Sequence, residues 1–414
     1  MSIRLLMFTA ETHPTYRADV AALFGKYLPR LGVHSDLVAG FDAQGAGAPP
    51  WAGGAQYLCS VTGGESRQHL VTLTLAIRHL MRTRRGLHDA IQVRDRPILG
   101  LFAALIARLK GIPFVYWMSY PVAEGQIELA RERGLRHGVA KFLVPWLLGR
   151  VRLFVLYRWV LPLSGHVFVQ SDQMRQDVAR QGLPLTRMTV VPMGVDLAAL
   201  DAAALVPPVD ERLRGRQVLA YLGTLDPPRQ IERLFGMLAL VRQQAPDALL
   251  LLVGDTNHAE HRTWLEQQAK AAGVADHVLW TGWLPMVEGW RYLSAAAVAL
   301  SPIPRGPLLD AASPTKVCEY LALGLAVVCN DNPDQAEIIR QSGAGRCVPY
   351  TAAAFAAAAL ELLACDAQQR SDMARAGRRF VEAYRDYPLI ACQVAMVYQQ
   401  LLAPGRATAS NDPV

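Results

Sequence analysis

The chain has 414 residues, which is more than one hydrophobic core usually organises and fits two domains of about 200 residues each. Hydrophobic residues make up 52% of it and charged residues 19%, as in an ordinary folded protein. The net charge of +7 favours anionic partners such as membrane surfaces or phosphorylated substrates, but the sequence has no basic arm and no zinc-finger or RRM spacing, which argues against nucleic acid.

Three sequence features bear on the compartment. The six cysteines are scattered without a CxxC pair, which is typical of free thiols in a reducing compartment. The N-terminal MSIRLLMFTAETH is typical of a first strand rather than of a signal peptide, and no run of about 18 uncharged apolar residues occurs. We therefore expect a cytoplasmic protein without a membrane-spanning helix.

The first half of the chain alternates short apolar runs with amphipathic segments. We predict strands at 3–10, 90–93, 113–118 and 167–171 and helices at 17–31, 66–84 and 97–109. This alternation predicts a doubly wound parallel sheet, in which ligands bind beyond the carboxyl ends of the strands. The Gly-rich segment at 40–64 lacks the spacing of a dinucleotide fingerprint and is predicted to be a loop.

Two polar residues are expected at such strand ends. His13 lies in a predicted loop over 11–16, where a histidine is either a solvated or structural residue or one that acts on a ligand. Ser119 follows the strand at 113–118, and its hydroxyl can donate or accept a hydrogen bond but cannot act as a general base near neutral pH. Both residues are candidates for contacting a ligand.

Between 131 and 160, basic residues alternate with aromatic and aliphatic ones. The basic residues are Arg131, Arg133, Arg136, Lys141, Arg150, Arg152 and Arg158, and Trp146, Phe154 and Trp159 lie among them. Such a helical segment either lies in a membrane interface or packs one face on the core while its arginines face water. The sequence leaves both interpretations open.

The second half repeats the alternation after an apolar-poor segment at 201–216, which is predicted to be a linker. Strands are predicted at 218–223, 249–253, 278–282, 298–302 and 325–329. Gly223 opens a loop that carries Thr224 and Arg229 before the next helix. Pro388 is predicted to break a long helix, with a further helix at 389–402.

One helix of the second half carries an unusual charge. Ser313 is predicted to cap this helix, Pro314 to occupy its first position and Gly324 to end it. Lys316 then opposes the positive end of the helix dipole, a misfit of roughly 0.3–1 kcal/mol that an anion at the helix N-terminus would reverse. A diphosphate suits this position, and Glu319, one turn further on, could accept two hydrogen bonds from a ribose. The alternative is a surface helix with a Lys316–Glu319 ion pair.

The run SPTKVCEYLALGLAVV at 313–328 resembles the donor-binding segment of family-4 glycosyltransferases with the GT-B fold. A second run, VQSDQMRQDVARQGLPLTRMTVVPMGVDL at 169–197, resembles the segment that closes the first domain in that family, and the resemblance extends over nearly the whole chain. It implies that Arg229 and Lys316 stabilise the donor diphosphate. The donor-binding residues it implies are Gly223, Asp310, Ser313, Pro314, Thr315 and Glu319.

Three positions depart from the family pattern. Ser119 stands where family members frequently have a histidine near the reacting sugar. Thr224 stands where an arginine normally contacts the diphosphate, so that Arg229 keeps one of two expected cations. Ala311 stands where a second acidic residue is often found, and Asp310 is one place away.

The resemblance implies an α/β GT-B fold, in which two Rossmann-like domains with doubly wound parallel sheets face a central cleft. Residues 1–200 would form the acceptor-binding domain, with His13 and Ser119 as acceptor-side candidates, and 217–388 the nucleotide-sugar-binding domain after the linker at 201–216. The C-terminal helix at 389–404 would cross back onto the first domain.

The implied activity is that of a retaining hexosyltransferase, which moves a sugar from a UDP- or GDP-sugar to a glycan or polyprenol-linked acceptor without a metal or other cofactor. Segment 131–159 would hold the protein peripherally at the inner face of the cytoplasmic membrane. Two alternatives stay open. One is a non-catalytic nucleotide-binding subunit of a transferase complex, suggested by the three departures. The other is a GT-B sugar-nucleotide epimerase, which would need acid and base carboxylates around the sugar.

Overall fold

A computed structural model describes residues 2–15, 17–41, 50–60, 65–134, 138–203 and 205–403. The chain divides into two compact units. The first comprises Met1–Pro192 together with Tyr387–Val414, and the second comprises Met193–Asp386. Each unit is built on one parallel sheet, so the predicted pair of doubly wound α/β domains is confirmed.

The sheet of the first unit has seven parallel strands in the order β3-β2-β1-β4-β5-β6-β7. Their bounds are β1 Ile3–His13, β2 Val33–Phe41, β3 Gln56–Ser60, β4 Ala90–Arg94, β5 Phe114–Met118, β6 His166–Val169 and β7 Met188–Val190. The strand order reverses between β1 and β4, which is the position where sheets of this class bind ligands.

Helices cover both faces of this sheet. They are α1 Glu65–Arg82, α2 Pro97–Lys110, α3 Val122–Arg133, α4 Val139–Val155, α5 Leu161–Leu163 and α6 Asp172–Arg180. The C-terminal helix α16, Tyr387–Leu402, also belongs to this unit, and its buried residues Ile390, Val394 and Tyr398 join the core of β1 and β5. Residue 404, the predicted end of that helix, lies outside the described residues.

The start of the chain departs from the sequence prediction. Residues 11–13, predicted to be a loop, continue β1, because a register shift after Phe8 lets Thr12 and His13 pair with Gly40 and Phe41 of β2. The segment predicted as one helix at 17–31 forms a π-helix and a 3-10 turn, which Gly32 ends with φ +77°. Tyr16, the last residue of the predicted loop, lies outside the described residues.

The second unit has a six-stranded parallel sheet in the order β10-β9-β8-β11-β12-β13. Its strands are β8 Gln217–Leu222, β9 Ala248–Val253, β10 Val278–Trp280, β11 Val298–Ser301, β12 Ala326–Cys329 and β13 Gly345–Cys347. The order reverses between β8 and β11, so ligand-binding groups are expected at the carboxyl end of β8.

The helices of the second unit enclose that sheet on both faces. They are α7 Leu197–Ala202, α8 Arg233–Arg242, α9 Ala259–Ala271, α10 Met286–Leu293, α11 Pro307–Asp310, α12 Thr315–Ala322, α13 Pro333–Ser342, α14 Ala352–Leu363 and α15 Ala367–Tyr384. The strands are apolar on both sides, as expected for a sheet that is buried on both faces.

Two chain segments near the unit boundaries differ from the sequence prediction. The sequence predicts residues 193–200 in the first domain and a linker at 201–216, but both belong to the second unit. Val195, Leu197 and Leu200 are buried in its core, and Leu205 and Leu213 pack against that core. The break in the long C-terminal helix lies between α15 and α16, at 385–386. Pro388 falls in the first turn of α16, where its missing N–H costs no intrahelical hydrogen bond.

Candidate functional site

The candidate site of the second unit is organised around the N-terminus of α12. Helix α12 starts at Thr315 and Pro314 is its N-cap, without a side-chain cap. The predicted cap at Ser313 is therefore wrong. The Ser313 hydroxyl instead donates to Asp334 Oδ2 at 2.6 Å and accepts from the Met193 N–H at 3.0 Å, so its hydrogen-bonding capacity is used one residue before the helix.

Lys316 lies in the first turn of α12, as predicted, and its ammonium group meets the side chain of Tyr221 at the end of β8. Lys316 Nζ donates to Tyr221 Oη at 3.2 Å and lies 4.3 Å from the centroid of the Tyr221 ring. Tyr221 Oη in turn donates to the Thr224 carbonyl at 2.8 Å. Burial raises the pKa of Tyr221 to about 12, so the phenol stays neutral and offers no charge to offset the lysine.

The charge on Lys316 is poorly compensated. Burial, followed by the positive charge of Arg229, lowers the pKa of Lys316 well below its usual range, and the carboxylate of Glu319 opposes this in part. Arg229 ends a 3-10 turn at Pro227–Arg229, next to the carboxyl end of β8. Two cations are thus brought together beside a helix N-terminus, an arrangement that a bound anion would relieve.

Glu319 does not pair with Lys316 through a salt bridge among the described residues. Its Oε1 accepts from Trp290 Nε1 at 3.2 Å, and burial raises the pKa of this carboxyl group. The surface ion pair that sequence offered as the alternative is therefore not formed. No described residue donates to Glu319 Oε2, and the side chain is partly exposed, so it can accept hydrogen bonds from a ligand.

Two glycines allow the backbone segments that follow β8 and β9 to approach each other closely. Gly223 has φ +139°, and a Cβ there would lie 3.3 Å from Lys316 Nζ. Gly254, after β9, has φ +128°, and a Cβ there would lie 2.2 Å from the Gly223 carbonyl oxygen. Both positions require glycine, because the left-handed conformation and the close approach would each be strained by a side chain.

We expect Gly254→Ala to lower the free energy of unfolding by about 2 kcal/mol or more, because the new methyl group would overlap the Gly223 carbonyl. Gly236→Ala is the matched control: it lies within α8, and its Cβ would meet Ala352 Cβ at an ordinary 3.4 Å. That variant should be neutral or stabilising through helix propensity. Chemical denaturation of both variants checks the difference, and equal stability would contradict the close approach.

Asp310, another residue predicted for the donor site, forms an ion pair within the protein. Asp310 Oδ1 accepts from Arg305 Nε at 2.9 Å. Ala311, where the family often has an acid, is buried with 3% of its surface exposed. The Thr224 backbone carbonyl accepts from Tyr221 Oη, and the Thr224 hydroxyl forms no hydrogen bond with a residue that the structure describes.

In the first unit, both predicted ligand contacts are buried. His13 is 6% exposed and its ring packs edge-on against Trp51, with centroids 5.9 Å apart. Ser119 is 3% exposed; its hydroxyl donates to Asp95 Oδ2 and accepts from Arg94 Nη2 at 2.8 Å. Ser119 therefore helps hold the buried Arg94–Asp95 charge pair at the carboxyl ends of β4 and β5.

Sequence reasoning missed three residues that shape the site. Tyr221, Trp290 and Gly254 hold Lys316, Glu319 and the Gly223 turn, respectively. Gly254 had a signal, since a Gly-Asp pair follows an apolar strand. Tyr221 and Trp290 had none, because each reads as one more apolar residue of a strand or of an amphipathic helix.

Comparison with known families assigns both halves of the chain. Residues 209–380 match the family "Glycosyl transferases group 1", and residues 18–194 match "Glycosyl transferase 4-like domain". The two matches together span most of the chain and support a glycosyltransferase with the GT-B fold. None of the curated proteins compared with the chain matches it.

Solved structures with this fold include sucrose-phosphate synthase from Thermosynechococcus elongatus, at a TM-score of 0.71 and 19% identity over 97% of this chain and 99% of that one. Anabaena HepE in complex with UDP-glucose has a TM-score of 0.64 at 15% identity, over 96% and 100% of the two chains. The lipopolysaccharide outer core galactosyltransferase WaaB, in its apo form, has a TM-score of 0.62 at 12% identity, over 96% and 100%. Because all three sequence identities are below 25%, the similarity to these structures shows that the fold is shared and nothing more.

Within the described ranges, no group of three or more His, Cys, Asp or Glu side chains is placed to hold a metal ion. In the same ranges, no helix combines the length and the hydropathy that crossing a bilayer requires.

Proposed function

We propose that this glycosyltransferase is a retaining, family-4 enzyme that transfers a hexose from a UDP- or GDP-sugar to a glycan or lipid-linked acceptor. The observation that carries the proposal is the pair of cations, Lys316 and Arg229, beside the N-terminus of α12. The structural neighbour HepE was solved with UDP-glucose, which supports a nucleotide-sugar donor.

The proposed chemistry follows from where negative charge develops. The bond between the anomeric carbon and the β-phosphate oxygen breaks, and the acceptor hydroxyl oxygen bonds to the anomeric carbon on the face from which the leaving group departs. The acceptor proton passes to an oxygen of the departing diphosphate, so no titrating protein base is needed. Arg229, Lys316 and the N–H groups of α12 stabilise the leaving diphosphate, which is the role a divalent cation has in other transferases.

Lys316 is suited to this role because its positive charge is unfavourable in the protein without an anionic ligand. A lysine whose pKa is lowered by burial and by Arg229 gains most when a diphosphate arrives. The hydrogen bond and ring contact with Tyr221 hold the ammonium group in place beforehand, so little reorganisation is needed. We assign the remaining donor contacts to Thr315 and to the Gly223 turn.

Glu319 is proposed to bind the ribose of the nucleotide. Its carboxylate is oriented by Trp290 Nε1 at 3.2 Å and is one turn along α12 from Lys316. A carboxylate accepts two hydrogen bonds from vicinal hydroxyls, whereas an amide accepts fewer. We propose the second unit, Met193–Asp386, as the nucleotide-sugar domain and the first unit, including the region of Ser119, as the acceptor domain.

The exposed face of α4 supports peripheral binding to an anionic membrane. Val144, Leu147 and Phe154 have 64%, 59% and 61% of their surface exposed, and Trp159 follows in the adjoining π-helix with 50%. Lys141, Arg150 and Arg158 lie exposed on the same segment. An apolar face flanked by cations matches a helix that lies in a membrane interface. Arg136, part of the predicted segment, lies outside the described residues.

We expect the protein to sediment with vesicles of anionic phospholipid at low salt, and less with neutral vesicles. Replacing Lys141 and Arg158 together with Gln should weaken this binding by about 2 kcal/mol, roughly 30-fold, because each basic residue near the surface contributes about 1 kcal/mol. Arg84→Gln, at an exposed position outside the segment, is the control. Equal sedimentation with both vesicle types would contradict the electrostatic part of the proposal.

The direct test of function has two stages. Calorimetric titration with UDP and with GDP identifies the base, and a turnover assay with the matching sugar nucleotides then measures transfer to glycan and lipid-linked acceptors. Binding followed by transfer supports the enzyme. Binding without transfer, with activity appearing when a second subunit is added, would instead establish the non-catalytic subunit. Interconversion of sugar nucleotides without an acceptor would establish the epimerase.

A further inference from the structure

A cavity of about 490 Å³ lies in the first unit, where the sheet order reverses. Its walls come from the carboxyl end of β1, from α1 and from the start of α2, and α4 adds one residue. Leu70, Leu73 and Val122 make part of the lining apolar, while Arg96 and Arg152 introduce two guanidinium groups. The cavity therefore combines an apolar wall with positive charge.

Among the residues that the structure describes, these two arginines have no counter-ion. Neither forms an ion pair within 4.0 Å with a residue that the structure describes, and Arg152 Nη1 donates to the neutral Gln126 Oε1 at 2.6 Å. Arg94, two residues before Arg96, is different, since its guanidinium faces Glu11, Asp19 and Asp95. Arg96 and Arg152 therefore do not belong to the ion-pair network of Arg94, and their charges are available to bind an anionic ligand.

Burial makes the charged forms of Arg96 and Arg152 less favourable than at an exposed position. It lowers the pKa of both Arg96 and Arg152, and the charge of Arg152 lowers the pKa of Arg96 further, while Cys59 opposes this. Both side chains nevertheless remain cations at neutral pH. A ligand with negative charge would therefore be bound more strongly here than at an exposed arginine pair.

The cavity offers little repulsion to an anion. Among the described residues that line the cavity, Asp95 is the acidic one. Its carboxylate accepts from the Ser119 N–H at 2.8 Å and faces Arg94 Nε at 3.6 Å. Helix α2 begins at Pro97 beside it and has no side-chain cap, so its positive end adds to the two arginines.

We propose that this cavity binds the phosphate group of an amphiphilic acceptor, with Arg96 and Arg152 contacting the phosphate oxygens and the wall of Leu70, Leu73 and Val122 contacting the first carbons of an apolar chain. Two planar guanidinium groups match a phosphate by paired hydrogen bonds. The inference rests on the proposed function in one respect, that the ligand is the acceptor of the sugar. It makes Arg96 and Arg152 specificity-determining residues for a phosphorylated lipid.

The test is calorimetric titration of the full chain with decyl phosphate, inorganic phosphate and decyl glucoside, each below its micelle concentration. Decyl phosphate should bind most tightly, inorganic phosphate more weakly and decyl glucoside weakest, because it lacks the anion. Arg96→Gln and Arg152→Gln should each reduce affinity for decyl phosphate at least tenfold. Arg108→Gln, an exposed arginine in the last turn of α2, should leave it unchanged.

Thermal unfolding and UDP binding of the same variants separate loss of the site from loss of the fold. Unchanged decyl phosphate affinity in both Arg96→Gln and Arg152→Gln would overturn the inference, and equal affinity for inorganic phosphate would overturn its amphiphilic part. Arginine-dependent binding of decyl phosphate without any sugar transfer would support the site while refuting the proposed function. Transfer to a neutral acceptor, with a KM that Arg96→Gln does not change, would support the function and refute the site.

Discussion

Arg229→Ala and Lys316→Ala are each expected to reduce sugar transfer about 10²–10³-fold, the usual effect of removing one preorganised group that stabilises charge in the transition state. Both side chains place positive charge beside the N-terminus of α12, where the diphosphate would leave. The loss should appear mainly in kcat, because charge on the β-phosphate is greater in the transition state than in the bound donor.

Ser119→Ala is the comparison for this experiment, with a loss of roughly tenfold or less expected from one hydrogen bond. Its hydroxyl sits between Arg94 and Asp95, which remain paired with each other in the variant. The measurement is steady-state transfer by purified protein of verified fold. A larger loss for Ser119→Ala than for Lys316→Ala would place the critical chemistry in the first unit and contradict the proposed role of α12.

Glu319→Gln and Lys316→Ala are each expected to weaken binding of the nucleoside diphosphate by roughly 1.5–3 kcal/mol, the contribution of a hydrogen bond to a charged group. Glu319→Gln removes the carboxylate that Trp290 Nε1 orients towards the ribose. Lys316→Ala removes the ammonium group that Tyr221 Oη holds in place for the diphosphate. Calorimetry with UDP or GDP measures both. Wild-type affinity in both variants would show that α12 is not the donor site.

The titration of Lys316 adds a signature that a purely structural role would not produce. Its pKa is lowered in the free protein, by burial and then by Arg229, and a bound diphosphate would raise it. Binding should therefore take up a proton, and affinity should be greatest below the free-protein pKa and fall as pH rises through it. Calorimetry in two buffers of different ionisation enthalpy detects the uptake, which Lys316→Ala should abolish.

The positions of several candidate residues on their helix or strand were predictable, because the signals are local. Lys316 and Glu319 are three positions apart, so a helix that starts near Ser313 places Lys316 in its first turn and Glu319 one turn later. Helix α12 has both residues at these positions. The same holds for Gly223 at the end of an apolar strand and for Gly324, with φ +75°, after the helix. The alternation of apolar runs and amphipathic segments likewise predicted both parallel sheets.

The cap at Ser313 shows where local reasoning fails. A serine before a Pro-Thr-Lys run satisfies every local rule for a helix cap. In the structure its hydroxyl bonds Asp334, which lies 21 positions away, and accepts from the N–H of Met193, 120 positions away. Sequence rules for caps weigh neighbouring residues, whereas a buried hydroxyl takes whichever polar partners packing brings to it.

The sequence by itself determined the two doubly wound domains, the position of α12 and the cation at its start, since strand and helix periodicity and helix-end residues act over a few positions. Tertiary structure decided which groups surround these residues. Tyr221 contacts Lys316, which lies 95 positions away in the sequence. Helix α16 packs on the first unit and buries Tyr398 against Gln92, which lies 306 positions away. The tertiary structure likewise buried His13 against Trp51 and placed Arg96 and Arg152 beside one cavity, where no described residue forms an ion pair with them. These outcomes depend on long-range packing and on desolvation, and neither is encoded in the spacing of residues along the chain.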